Sequence, residues 1–410
     1  MKKIWITLVL IAVLIVAWLT ASWYTGTHIE AKVGDIIARM NASLTNNPTA
    51  PGGILQIKQV GGYERGLLSS HARFALTNSL LGAEPVLESD LTISHGPFPL
   101  AALRGGNFLP QQFQAHLEVL ATSGPLKMVA GALMGGKPPL VMDIGCSYGN
   151  HCVSTGSTPP IHVDLGALSK KAKLAFGGIQ MQFDLNRQSD TVYKASGDVQ
   201  LLPLSIGDQN FGSGQITITS DAQSATEVIS WKTDQGASKL SLALATAQPM
   251  PFWGDPSMTP EDLPKLLKTV SAKLELSKPM AIDLAARALN LAKGVDPAAA
   301  RQQIAAQFDA MLASVPESGK FVQTQGDLLI SDWQYADGKL TVNGQENPEL
   351  LARIKQGYLT RLNAAEQALP AGNASAPQPA GGDDGVPGAL PPASAADQVI
   401  PDSAKQGDAK

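Results

Sequence analysis

The chain has 410 residues, a net charge of -4, and 16 % charged against 44 % hydrophobic residues, so it holds enough apolar material to bury a core and is not disordered as a whole. No sizeable basic block follows the first three residues. That excludes a nucleic-acid partner, because nothing supplies the phosphate contacts whose released counterions drive such binding. Gly (39) and Pro (28) are plentiful while aromatics reach only 5 %, a mixture that suits many short strands and turns better than a helical bundle.

The first element is the unbroken apolar run Ile4 to Thr20, which follows Lys2 and Lys3 and precedes the aromatic pair Trp23 and Tyr24. At about 1.5 Å per residue, a helix over residues 4–21 crosses a hydrocarbon core of about 30 Å, with the aromatic rings at headgroup level. Lys2, Lys3 and the terminal amine keep the N-terminus cytoplasmic, so the rest of the chain faces away from the cytoplasm. A cleaved signal peptide is the alternative, but its apolar region is shorter and ends at a small-x-small site, of which Leu19 to Ser22 offers a poor version. Either way the body is exported.

Thr27 to Leu44 places Ile29, Val33, Ile36, Ile37 and Met40 at helical spacing and predicts a membrane-proximal helix. The turn-forming stretch TNNPTAPGG at 45–53 is a linker. From Ile54 the period changes to two, and strand candidates recur at 54–60, 70–78, 85–94, 112–122, 140–144, 161–165, 173–186, 190–201, 213–220, 227–233, 238–246 and 271–277. Glycine-containing or polar breaks separate most of them, so consecutive strands pair as antiparallel hairpins. Helices are expected at Thr259 to Val270, Met280 to Leu291 and Asp296 to Val315, then strands at 321–325, 327–334 and 339–344 around an Asp337-Gly338 turn, and a last helix over Pro348 to Leu369. Beyond Pro370 the composition collapses to Ala, Pro, Gly, Asp and Ser, which predicts a disordered tail. The fold class is therefore α+β, an N-terminal transmembrane helix followed by an elongated, mainly antiparallel sheet body with a few helices toward the C-terminus. The expected organisation is an anchor at 1–25, a helix and linker at 26–48, a β-rich domain at 49–369 and the tail at 370–410.

Cys146 and Cys152 bracket GCSYGNHC, and in an oxidising compartment a pair this close reads as a disulfide pinning a hairpin tip. A zinc site using His151 and His162 is the competing reading, although the spacing fits no zinc pattern. No GxSxG, HExxH or GxxxxGK[ST] motif is present, and GDQNFGSG at 207–214 opens no helix, so it reads as a hairpin turn. His95 closes the strand LTIS ahead of Gly96, Pro97, Phe98 and Pro99. It is either a ring that hydrogen-bonds the strand exit or a general base awaiting a partner. Tyr63, Arg65 and Ser69 form a second polar motif, in which Arg65 offers paired donors to an anionic headgroup or pairs with a nearby acid or carbonyl. Trp333 and Tyr335 share one strand face, available to stack on a ligand or to fill the core.

The exit AWLTASWYTG with Ile29 and Glu30, the segment GYERGLLSS at 62–70, SHGPFPLAAL at 94–103 and the hairpin WQYADGKLTVNGQ at 333–345 together resemble the YdgA-like family of bacterial envelope proteins. The departures are a shorter middle region and Leu68 in place of an aromatic residue. The resemblance implies a single-pass inner-membrane or periplasmic protein of Gram-negative bacteria without an assigned activity, and it supplies no catalytic residues. The expected function is a non-enzymatic, membrane-anchored envelope protein that binds or scaffolds envelope components, with a hydrophobic or lipid ligand as one variant. It needs no cofactor and no metal. Its partners are the inner membrane through residues 4–21 and a lipid or another envelope protein, and a homo-oligomer stays open. The rival is an envelope hydrolase whose non-local catalytic set includes His95.

Overall fold

A computed structural model of the chain describes residues 2–46, 55–78, 84–121, 124–164, 173–189, 192–249, 266–314 and 318–368. The tail expected beyond Pro370, and most of the linker, lie outside them.

Helix α1 runs unbroken from Lys2 to Asn46. It is bare of protein from Leu10 to Ala17, a stretch within a helix long and apolar enough to cross a membrane. Past that point every third or fourth residue is covered: Trp18, Ser22, Gly26, Ile29, Val33, Ile37, Asn41 and Leu44. This is the stripe a 3.6-residue period presents to one neighbour. Of the apolar residues predicted to line it, Ile36 and Met40 remain exposed, because they sit one position off the stripe.

The neighbour is the edge of a sheet. Its strands are β1 (Leu55–Arg65), β2 (Ser69–Asn78), β3 (Pro85–His95), β4 (Gln111–Ala121), β5 (Leu140–Ser147), β6 (His151–Ser157), β7 (Ile161–Asp164), β8 (Lys173–Phe176), β9 (Ile179–Arg187), β10 (Tyr193–Ile206), β11 (Gln209–Ser220), β12 (Ser224–Thr233), β13 (Gly236–Thr246), β14 (Leu267–Ser277), β15 (Gln323–Gln325), β16 (Leu328–Ala336), β17 (Lys339–Val342) and β18 (Gln345–Glu346). All pairings are antiparallel, and the order follows the chain from β1 to β6, then β9 to β14, then β16 to β18. The ladders of the meander are interrupted at one level. Pro159 and Pro160 interrupt β6 and β7, Gly177 and Gly178 interrupt β8 and β9, and β10 bulges between Leu201 and Leu204 where β8 pairs with it. Prolines cannot donate to the ladder and bulges add twist, so the break passes from strand to strand.

Seven helices accompany the described strands. After α1 come α2 (Leu100–Arg104), α3 (Gly124–Met134), α4 (Lys278–Lys293), α5 (Pro297–Ser314), α6 (Ser318–Phe321) and α7 (Pro348–Ala368). Ser277 caps α4 by accepting from Met280 N, and Gly294 ends it in the left-handed conformation. Buried Asp283 accepts from Arg287 Nε and from Arg301 on α5, while Arg287 reaches Asp234 and the Asn210 carbonyl. This ion cluster holds α4 across the ends of β11 and β12. The helix expected over Thr259 to Val270 is not continuous. Leu267 to Val270 belong to β14, pairing with β13 and β16, and 259–265 lie outside the described residues. Two flanking strands offered more hydrogen bonds and burial than the local helical spacing. Neither α2 nor α3 was legible, each lying between strand candidates. Residues Met1–Asn363 form one unit and Ala364–Lys410 another.

An uncovered β1 would offer unpaired backbone groups to another chain. Here Asn41 pairs those of Ile57: its Nδ2 donates to Ile57 O at 2.8 Å and its Oδ1 accepts from Ile57 N at 2.7 Å. Asn41→Ala should lower the exchange protection of the Ile57 amide about 5- to 10-fold, the equivalent of about 1 kcal/mol for a net hydrogen bond. Unchanged exchange by mass spectrometry or NMR would mean that burial alone holds α1 to the edge.

Candidate functional site

The motifs that stand apart in the sequence meet where α1 passes the end of β3. His95 is 1 % exposed, and its ring fills the space between the sheet and the helix. Nδ1 lies 2.8 Å from the Ser22 carbonyl, which can only accept, so Nδ1 carries the proton. Nε2 is then the acceptor for the Ser70 hydroxyl at 3.1 Å. Burial lowers the His95 pKa, opposed by the carbonyls of Ser22 and Ser69, and this favours the neutral ring. The backbone N–H of His95 donates to Leu68 O, inside the GYERGLLSS segment.

Small residues permit the approach. A Cβ on Gly26 would lie 2.7 Å from His95 Cε1, and one on Gly96, whose φ is +115°, would collide with the Ser22 hydroxyl. Only glycine fits at either place. The Ser22 hydroxyl and Tyr63 hydroxyl are buried without a well-formed hydrogen bond, and burial raises the Tyr63 pKa against the nearby Ser70. Arg65 adds the outer clamp: its Nη1 donates to Glu30 at 3.0 Å, and its guanidinium lies 5.6 Å from the Trp23 ring centre. Exposed charges of this kind contribute little energy but fix orientation.

Tyr63, Arg65 and His95 are thus brought together, with Ser22, Gly26 and Glu30 as partners that sequence reading left in the helix without a role. The Ser70–His95 pair ends on a backbone carbonyl rather than an acid, and both residues are buried. Trp333 and Tyr335 lie far along the meander on β16. Both are half-buried; Trp333 donates to Ser331 Oγ at 2.7 Å and packs near Phe321. Cys146 and Cys152 form the disulfide, directly opposed across the β5–β6 hairpin with Asn150 at φ +60° in its turn. His151 pairs instead with Asp184, 2.7 Å away.

The register puts opposed residues on one face, and the two faces differ. One carries Phe74 and Leu76, Leu91 and Ile93, Phe113 and Leu117, Met142 and Ile144, then Met181 and Phe183, Val199, Ile216 and Ile218, Ile229 and Trp231, Leu240 and Leu242, Leu274, and finally Trp333 and Leu340. His95 and Ser70 sit on this face at its α1 end. The fully buried apolar residues of this face and its helices gather at the two ends: Ala72, Ile93, Ala115 and Cys146 in β2–β5, and Met280, Ala286, Leu329, Leu340 and Val342 toward the C-terminus. Between them β9 to β13 contain no fully buried large apolar side chain, and Ile218, Leu242 and Leu274 are more than a third exposed. The opposite face is a series of cross-strand polar pairs, His71–Asp90, His116–Asp143 and Asp198–Gln215 among them. A cleft of about 350 Å³ with mixed lining lies along it, bounded by Val141, Asp143, Thr155, Gln182, Asp198 and Gln200.

These features define a protein with one long apolar N-terminal helix locked to the end of a one-sided antiparallel meander. The chain belongs to the YdgA-like family: a family described as "Bacterial protein of unknown function (DUF945)" matches residues 1–229 and 227–349. Protein YdgA of Escherichia coli (strain K12) is 28 % identical over 207 residues, which cover 49 % of this chain and 39 % of that protein. An uncharacterized protein of Haemophilus influenzae (strain ATCC 51907 / DSM 11121 / KW20 / Rd) is 21 % identical over 201 residues, 48 % of this chain and 53 % of the relative. The chain therefore spans about half or less of the length of the curated relatives it matches. No solved structure matches it.

The junction titrates with a definite sign. The unfolded His95 ring takes up its proton near pH 6.5 and the folded ring resists it, so the unfolded state binds more protons as pH falls below about 6.5. The stability contribution is complete above that pH and is lost progressively below it. Hydrogen exchange of α1 residues 22–37, corrected for intrinsic rates, should report weaker protection at pH 5 than at pH 7.5, and His95→Asn should flatten the difference. His116, raised mainly by Asp143, acts with the opposite sign but on β4, so this local readout separates the two. Gly26→Leu should expose α1 from Trp18 to Leu44 while leaving β10–β13 protected. A variant with wild-type exchange in α1 would refute the close-packed junction.

Proposed function

We propose that this chain is a non-enzymatic envelope protein, tethered to the inner membrane by α1 with its body in the periplasm, whose sheet offers its apolar face to the acyl chains of a lipid. The observation that carries this reading is the apolar face of β9 to β13, left half-exposed in the middle of the strands, with α4 touching only their ends near Asn210, Asp234 and Ser238. A soluble sheet with one solvated face buries the other, and uncovered apolar area of this extent marks a binding surface. The sheet that carries this face is joined at its β1 edge to the helix that is long and apolar enough to be the tether, which would hold the face near the bilayer. The hydrolase alternative finds less support, since a buried Ser–His pair anchored on a carbonyl lacks both an acid and an open approach.

A photo-crosslinking amino acid placed in the full-length protein at Ile218 or Leu242, on the apolar face, should yield lipid adducts in intact cells. The same group at Thr217 or Ser241, on the opposite face, should not. Adducts that are equal on both faces, or absent from both, would sink the acyl-chain reading.

A further inference from the structure

The antiparallel register sorts the loops of the sheet into two sets. At the end where α1 passes His95 lie the β1–β2 turn (66–68), the β3–β4 connection (96–110), the β5–β6 turn (148–150), and then, farther along, the β9–β10 and β11–β12 turns. The first three turns carry large apolar side chains pointing into solvent. Leu67, Phe98, Phe108, Leu109 and Tyr148 are all exposed, Phe108 and Leu109 at 72 % each. The next two turns along the same end are polar, built on Ser189 and on Asp221, whose carboxylate accepts from the Gln223 and Ser224 amides. The tight turns at the opposite end, Gly207–Asp208 and Asp234–Gln235, are polar as well.

The exposed side chains are not loose ends of a floppy segment. The β3–β4 connection is held at both sides: Gly96 N donates to Gln112 O, Gln111 N to Pro97 O, and Leu103 N to Pro99 O. Within it Asn107 N donates to Ala102 O, and Asn107 Oδ1 accepts from Leu109 N. Pro99 at the N-cap of α2 and Ala102 within it are buried, so the loop's inner side is packed while Phe98, Phe108 and Leu109 face outward. Arg104, a cation, is exposed on the same connection.

Their position relative to α1 says what they meet. Trp18 and Leu19 lie inside the apolar run of α1 yet are half-covered by protein, whereas residues 10–17 are bare. The body therefore reaches the level of the apolar run at this end. The apolar tips lie on β1 to β6, within about 20 to 25 Å of the helix at about 4.8 Å per strand, and the described residues of the β9–β10 and β11–β12 turns beyond them include no exposed large apolar side chain. Trp23 and Tyr24, also exposed, stand at the same level. Aromatic and aliphatic tips with an Arg beside them are the composition that settles at the boundary of headgroups and acyl chains.

We propose that this end of the sheet is a membrane-interface surface: Leu67, Phe98, Phe108, Leu109 and Tyr148 enter the bilayer's headgroup boundary, with Arg104 at the phosphates. This rests on the reading of α1 as a membrane tether. Together with α1 they give the body two separated attachments, so it stands on the membrane in one orientation instead of swinging from a single helix.

The test uses the full chain in liposomes of phosphatidylethanolamine and phosphatidylglycerol. Single cysteines carry an environment-sensitive fluorophore, the two native cysteines being occupied in the disulfide. Labels go at Phe108, at Leu67, at Leu14 in α1, and at Met128, which is as exposed as Phe108 but on α3 beyond the opposite end of β4. The labels at Phe108 and Leu67 should shift to the blue, resist iodide quenching several-fold better than the label at Met128, and be quenched by brominated lipid. A combined Phe98→Ser, Phe108→Ser, Leu109→Ser variant should return the Leu67 label toward the Met128 values while Leu14 stays protected. Labels at Phe108 and Leu67 as open to iodide as Met128, with Leu14 protected, would overturn the interface and leave the tether standing. Protection from iodide without quenching by brominated lipid would mean a protein partner and would also overturn it. A Leu14 label open to iodide would remove the tether reading and this inference with it.

Discussion

A helix can lie against the end of a β-strand at van der Waals range only if neither surface carries a side chain there. Gly26 on α1 and Gly96 after β3 meet that condition, with Ser22 between them and the His95 ring filling the remaining gap. The rest of the arrangement depends on this contact. It sets the height of α1 against the sheet, and from that height the covered stripe runs down the helix to Asn41 and Leu44 beside β1. Some 26 residues of helix at about 1.5 Å each match 11 residues of strand at about 3.3 Å each, so the helix is long enough to run beside the edge strand, of which it leaves Leu55, Ile57 and Tyr63 part-covered and the rest exposed. The same contact puts the β3 exit and its neighbouring loops at the level of the apolar run.

The meander explains how so long a sheet forms with so little fully buried core. Most strands pair with their sequence neighbour, so most ladders are local. The exceptions are β6, which pairs with β9 across the β7–β8 pair, β8, which pairs with β10 in line with β9, and β14, which pairs with β16 across α4, α5, α6 and β15. Apolar and polar residues alternate with the pleat along most strands, with exceptions such as Glu227, which lies on the apolar face between Ile218 and Leu242. Fully buried clusters exist where helices lie on the sheet, near α1 and α2 and near α4 and α5. The middle strands hold together by their ladders and by polar pairs such as Asp198 with Gln215 and Thr217. The family match falls in two pieces that meet at residues 227–229, inside β12.

Much of the fold was legible because its signals are local. Alternation marked most strands, Asp337 and Gly338 marked a turn that both residues enter with positive φ, and Cys146 and Cys152 marked a hairpin tip. Spacing failed where partners decided the outcome. Leu267 to Val270 have helical spacing, yet two waiting strand edges take them. Ile36 and Met40 belong to the same apolar pattern as Ile29, Val33 and Ile37, and only the position of β1 selects which are covered. The polar motifs were visible as residues but not as a group. His95 was read against its own strand exit, whereas its ring bonds a carbonyl 73 residues earlier. Arg65 was expected to find an acid or carbonyl close by, and its acid is Glu30, 35 residues away on the helix.

By itself, the sequence determined the apolar helix, the antiparallel strands, their two-faced character and the disulfide, because each follows from the order of neighbouring residues and the period of the backbone they adopt. Only the tertiary structure decided that Trp23, Glu30, Arg65, Ser70 and His95 share one junction. It alone revealed that the apolar face lies open in its middle, and that Leu67, Phe98, Phe108 and Tyr148 stand together at one end. Those facts depend on strand register and on where a helix comes to rest, and no local pattern along the chain encodes a distance between residues 70 positions apart.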